Sequence, residues 1–164
     1  MRKTRVWITM GCCLFAVAIF ALAQSIRKPG LWEMTANMTW QQSPMPAGMA
    51  PPGTEPHTTE VCLTRAQIDR YGAPISQNRD CKIVNIARKP TGMTANLVCS
   101  GRIIGKGEVR ASWTDSEHAT STIHFLGTMQ AGPNPLPVEW TVDSTSVYKG
   151  PDCGSVKPMP MPNN

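Results

Sequence analysis

The chain has 164 residues, of which 41% are apolar, and a formal charge of +5. That is enough for one domain with a real core and too little for two. Three of its 16 basic residues, Arg2, Lys3 and Arg5, stand in the first five positions; the other 13 face 11 acidic residues, a charge of +2 with the cations scattered, which excludes the clustered basic footprint of a nucleic-acid binder.

The chain begins with Met1-Arg2-Lys3-Thr4-Arg5, runs apolar from Val6 to Leu22, and reaches small residues at Ala21-Leu22-Ala23. A basic stretch, an apolar stretch and small residues at the positions read by signal peptidase predict a secretory leader over residues 1–23, cleaved between Ala23 and Gln24. Thr9 and Gly11 interrupt the run, no stop-transfer charges follow it, and it is shorter than the roughly 20 apolar residues of a comfortable span. Cleavage is therefore expected rather than a retained anchor, and no stable membrane span remains after it. Cys12 and Cys13 leave with the leader; a lipidated Cys12 would need the apolar run before it, and most of that run comes after. What remains is a single β-rich domain over 24–158 and a tail over 159–164 expected to be disordered.

The first strand is the clearest. Trp32, Met34, Ala36, Met38 and Trp40 alternate with Glu33, Thr35, Asn37 and Thr39, a period of two that predicts a half-buried antiparallel strand with two tryptophans facing the core. From Gln41 to Pro56 five prolines and two glycines break the pattern, giving an expected mobile Met/Pro-rich loop. His57 to Leu63 is a second strand. Thr64-Arg65-Ala66-Gln67 then has the capping-box pattern and opens one short helix ending near Tyr71-Gly72.

Two strands flank Lys89-Pro90-Thr91-Gly92, which has the chemistry of a tight turn. Gly101 to Gly107 is glycine-spaced but lacks the strand-to-helix context of a phosphate loop, and reads as a bend or bulge entering a strand. Gly105 to Trp113 sets Val109, Ala111 and Trp113 against Glu108, Arg110 and Ser112. After a turn at Asp115-Ser116, Ser121, Ile123 and Phe125 alternate with Thr120, Thr122 and His124, and Val138, Trp140 and Val142 alternate with Glu139, Thr141 and Asp143. The fold class is mainly β: one antiparallel meander of about seven strands, closed as a barrel, a half-barrel or a sandwich, with one short helix and two disulfides.

Four cysteines remain after cleavage, Cys62, Cys81, Cys99 and Cys153. An even number in a chain sent to an oxidising compartment pairs by default. Folding back at Lys89 to Gly92 brings Cys81 opposite Cys99, and parity places Cys81, Ile83 and Ala87 on one face of the first strand, with Met93, Ala95, Leu97 and Cys99 on one face of the second. Cys62 and Cys153 are left to pair. A four-cysteine zinc site needs cysteines two to four residues apart, and no mature pair is closer than Cys81 and Cys99.

Taken together, Lys28-Pro29-Gly30-Leu31-Trp32-Glu33, Val61-Cys62-Leu63-Thr64, the cysteines at 81 and 99, and Asp152-Cys153-Gly154 form an ordered set. The chain resembles the bacterial exported domain-of-unknown-function 3617 family over nearly the whole mature length, and the Met/Pro-rich loop after the first strand is similar to that of family members. The resemblance implies an envelope or secreted location in a bacterium and a four-cysteine framework. It carries no activity onto any residue.

Catalytic material is sparse: His57, His118 and His124 among scattered acids, with no nucleophile elbow, phosphate loop, zinc-protease motif or dinucleotide fingerprint. No catalytic residue, metal ligand set or cofactor is assigned, and an enzyme is the third reading. Met45 and Met49 in the loop and Met159 and Met161 in the tail are soft thioethers that suit Cu(I), which makes a copper binder the second reading. The first reading is a non-enzymatic periplasmic or secreted protein whose partner is an apolar or amphiphilic small molecule, or a component of the envelope. It rests on Trp32, Trp40, Trp113 and Trp140, all on inward strand faces, where they either line a cavity or fill a core.

Overall fold

The computed structural model describes residues 27–46, 48–51, 53–72 and 80–158. The expected leader, its cleavage point at Ala23 and Gln24, and the tail over 159–164 lie outside the described residues.

Alternation of apolar and polar side chains drives seven strands: β1 (Gly30–Gln42), β2 (His57–Leu63), β3 (Cys81–Lys89), β4 (Gly92–Ser100), β5 (Ile103–Trp113), β6 (His118–Gln130) and β7 (Pro135–Gly150), with one helix, α1 (Arg65–Tyr71), between β2 and β3. All pair antiparallel in one sheet of order β2-β1-β7-β6-β5-β4-β3. The chain from β3 to β7 is an uninterrupted meander. β1 then docks along β7, from Leu31 opposite Gly150 to Gln42 opposite Glu139, and β2 folds back on β1. Among the described residues the terminal strands β2 and β3 are not paired, so the molecule is a single open sheet rather than a closed barrel or a two-sheet sandwich.

The sheet is coiled around α1. β1 and β3 are five strand steps apart, roughly 24 Å in a flat sheet. Yet Arg88 of β3 donates to the Ile68 carbonyl of α1 at 3.1 Å, while the Ile68 side chain packs in one cluster with Trp32 of β1. One face of the sheet is therefore turned inward, and it carries the apolar half of every alternation. Glycines on that face permit the tight coil: Phe125 lies against Gly105, Gly107 and Gly127, and a Cβ at Gly127 would stand 2.8 Å from the Phe125 ring.

Local chemistry sets the ends of α1. Thr64 accepts from the Gln67 backbone N–H, the Gln67 side chain accepts from the Thr64 N–H, and Gly72 closes the helix at φ 69°, its N–H donating to Ile68 O at 2.8 Å. The turn after β3 is Pro90-Thr91, with Lys89 opposite Gly92 and Cys81 opposite Cys99. Both disulfides form as expected, Cys81 with Cys99 and Cys62 with Cys153.

The register corrects one parity. A shift between Val84 and Ala87, with Asn85 at φ 54°, inserts a bulge in β3. Beyond it Ala87 pairs with exposed Thr94 and faces outward, away from Cys81 and Ile83, while Ile86 turns toward the core. The glycine-spaced stretch bends at Gly101 and Arg102, but β5 pairs with both neighbours from Ile103 onward without a register shift, so it contains no bulge. Gln41 and Gln42 belong to β1 rather than to the loop.

Candidate functional site

The four tryptophans share the inward face but not the same surroundings. Trp32 is fully buried, packed with Val61, Leu63 and Ile68, edge-to-face with Tyr148 at 5.5 Å, and its indole N–H donates to the Lys28 carbonyl at 3.0 Å. Trp113 is 5% exposed, its N–H donates to Pro90 O at 2.7 Å, and its ring lies so close to Gly72 that a Cβ there would be 3.0 Å away. Trp32 and Trp113 are thus members of the two buried apolar clusters.

Trp40 and Trp140 face each other across β1 and β7 and are only half-buried. Phe125, directly across from Trp140 on β6, stacks on it at 5.0 Å and 16°. Half-buried Met38, Val142 and Ile123 continue this surface along the same strands, and Ile83 and Ile86 extend it on β3. Between the two tryptophan pairs runs a row of small side chains in register, Ala36, Ser144, Ser121 and Ala111, with Ser121 Oγ 2.7 Å from Ser144 Oγ. The inward face is thus an apolar trough: aromatic and partly exposed at one end, lined by small side chains in the middle, and covered at the other end by α1, with β2 flanking β1. It contains no ionisable side chain along the rows just named. Its chemistry is burial of apolar surface, worth about 25 cal/mol per Å².

At the closed end lies a residue that the alternation did not single out. Arg27 is 1% exposed, its guanidinium stacked 4.1 Å from the centre of the Trp32 ring and its Nη1 donating to the Gly72 carbonyl at 2.7 Å. This ties the chain entering β1 to the end of α1. Its Nε and Nη2 have no hydrogen-bond partner among the described residues, and neither has the buried hydroxyl of Tyr71. Burial lowers the Arg27 pKa to about 10, so the group is still a cation at neutral pH. That shift corresponds to a cost on the order of 3 kcal/mol. A lone arginine shortly after an expected leader reads as a surface charge by default, and nothing in the local sequence distinguishes Arg27 from one.

The remaining candidates do not converge. His118 Nδ1 meets Asp115 at 2.9 Å in the turn before β6, and His124 Nε2 meets Glu139 at 3.0 Å on the outward face; both pairs are largely exposed. His57 opens β2 and is exposed. Among the described residues no three His, Cys, Asp or Glu side chains are grouped as metal ligands. Met45 and Met49 are exposed in the loop between β1 and β2, and Met159 and Met161 lie outside the described residues. The Cys62–Cys153 bridge holds the segment after β7 against β2, where Cys62 also bridges Pro158, and the Cys81–Cys99 bridge ties β3 to β4.

No curated protein and no solved structure matches the chain. A family model described as protein of unknown function (DUF3617) matches residues 27–153, from the buried arginine to the last cysteine of the disulfide frame. With more than half of its length covered, including the whole seven-stranded sheet, the chain belongs to the DUF3617 family.

Proposed function

We propose that the chain is an exported, non-enzymatic binding protein that takes up an apolar or amphiphilic small molecule along the inward face of its sheet. The observation that carries this reading is the contrast within one face: Trp32 and Trp113 are sealed, whereas Trp40 and Trp140 are only partly buried, near a row of small side chains. A trough walled by aromatic and aliphatic groups is the usual form of a small-molecule site. Export is supported by the leader pattern and by two disulfides, which persist in oxidising compartments. No helix among the described residues is long and apolar enough to cross a membrane. The non-enzymatic reading is supported by the separation of His118 from His124, six residues along one strand and roughly 20 Å.

Intrinsic tryptophan fluorescence during titration with dodecanol tests the reading. The expected result is a saturable change that is lost in Trp140→Ala and kept in a variant of the outward face such as Thr122→Ala. A flat response in the unaltered protein would sink it.

A further inference from the structure

The closed end of the trough holds a buried cation whose Nε/Nη2 edge has no acceptor among the described residues, and that bears on the chemistry of what the trough takes up. We propose that the ligand is a single-chain carboxylic acid whose carboxylate takes the Nε/Nη2 edge of Arg27 and whose tail runs along the inward face toward Trp40 and Trp140. The proposal rests on the trough reading above and adds the head group to it.

Three sides of the Arg27 guanidinium can be accounted for separately. One flat face lies on Trp32, and Nη1 is held by the Gly72 carbonyl. The third side, Nε with Nη2, is the edge that grips a planar two-oxygen anion through parallel hydrogen bonds, and it has no acceptor among the described residues. Buried donors are paired as a rule, so a fully buried chelating edge left open needs an explanation. The Tyr71 hydroxyl, one residue before the carbonyl that Arg27 holds, is a second buried donor without a partner among the described residues.

Charge selects the class of anion. Lys28, the neighbouring cation, is exposed and engaged by Glu117, and Arg88 donates to the Ile68 carbonyl. One buried guanidinium balances one negative charge, so a carboxylate fits where a doubly charged phosphate would bring an excess anion into apolar surroundings. The tail then follows from topology. Trp32 and Trp40 bound the inward side of β1, eight residues or roughly 26 Å apart. The inward positions between them and beside them, Ala36, Ser144 and Ser121, carry small side chains, and the tail lies over this row. With Arg27 so buried, the α1 end must open locally for the head group to enter, and association is expected to be slower than diffusional capture.

The test compares dodecanoate, dodecanol and acetate by calorimetry and tryptophan fluorescence on the unaltered protein, on Arg27→Gln and on Tyr71→Phe. Dodecanoate is expected to bind at least tenfold tighter than dodecanol, and acetate far more weakly than either. Arg27→Gln is expected to abolish the preference while leaving dodecanol affinity in place, and Tyr71→Phe to reduce the preference. Equal affinity for acid and alcohol in the unaltered protein would overturn the head-group assignment and leave the trough standing. Failure of both long-chain compounds would overturn the trough itself, and acetate binding as tightly as dodecanoate would reduce the site to one for small anions and overturn the acyl assignment. Should Arg27→Gln fail to fold, the acid-to-alcohol ratio in the unaltered protein and in Tyr71→Phe still decides.

Discussion

The two ends of the inward face are built from the same residue types in the same alternation and come out differently. At one end Trp32 packs beside Val61 and Leu63 of the neighbouring strand β2 and under Ile68, and Trp113 packs against Gly72, because α1 and its C-terminal cap lie against them. At the other end Trp40 and Trp140 have Phe125 and its bed of glycines beside them and remain half-exposed. A period-two pattern reports which face a residue occupies; whether the residue becomes core or lining is decided by what the chain places opposite that face, often from far along the sequence.

The disulfides divide along the same line, and breaking them gives the largest contrast. Cys62 adjoins Val61 and Leu63 at the closed end, and its bridge to Cys153 spans 91 residues, against 18 for Cys81 and Cys99. On the chain-entropy model Cys153→Ser is expected to lower stability by roughly 4–5 kcal/mol and Cys81→Ser by about 3 kcal/mol, read from denaturant midpoints. The reverse order would mean that the long bridge constrains a chain end with little bearing on the core.

Trp32→Ala should cost about 3–5 kcal/mol, since it empties a fully buried, hydrogen-bonded site, and Trp140→Ala about 2 kcal/mol, since Trp140 is only partly buried. Similar losses for both would erase the distinction between sealed and open ends. A further change sharpens it: Gly127→Ala places a methyl 2.3 Å from the Ile104 carbonyl oxygen, 2.8 Å from the Phe125 ring and 3.0 Å from Gly105 Cα. Relief requires the β5 backbone as well as Phe125 to move, which is expected to cost about 3 kcal/mol and to shift the tryptophan emission through Trp140, the stacked partner of Phe125. An Ala variant with unaltered stability and emission would show that the glycine bed is not what lets the sheet coil.

Much of this was legible from local chemistry. The bounds of β2, the Thr64–Gln67 cap with Gly72 behind it, the turn at Pro90-Thr91 and the Cys81–Cys99 pairing all follow from residues within a few positions of one another. Three things were not. The docking of β1 on β7 joins residues as far apart as Leu31 and Gly150 and has no local signal. The bulge at Asn85 changes the parity of β3 through one residue at positive φ, and Asn tolerates that conformation without requiring it. Arg27 owes its burial to the helix end that its Nη1 reaches, 45 residues later, so its lone charge gave no warning of an interior role.

The smallest expected effect concerns the turn that leads into β6 beside the closed end. The Asp115 carboxylate accepts from the Glu117 N–H at 2.6 Å and the His118 N–H at 2.7 Å, and His118 Nδ1 stands 2.9 Å away. The bond from the Glu117 backbone, followed by the His118 side chain, holds the Asp115 pKa below the ordinary carboxylate range. A carboxylate whose folded pKa is depressed contributes its stability above the unfolded pKa and loses it as pH falls through the folded one. The turn is therefore expected to loosen only in acid, by a small amount because Asp115 is exposed. Asp115→Asn should flatten that part of the acid-unfolding curve and leave neutral stability nearly unchanged. An NMR titration placing the Asp115 midpoint at or above the ordinary aspartate value would remove the turn from the account. Because Glu117 also pairs with Lys28, next to Arg27, amide exchange at Lys28 in the variant would then report whether loosening stays in the turn or reaches the sealed end.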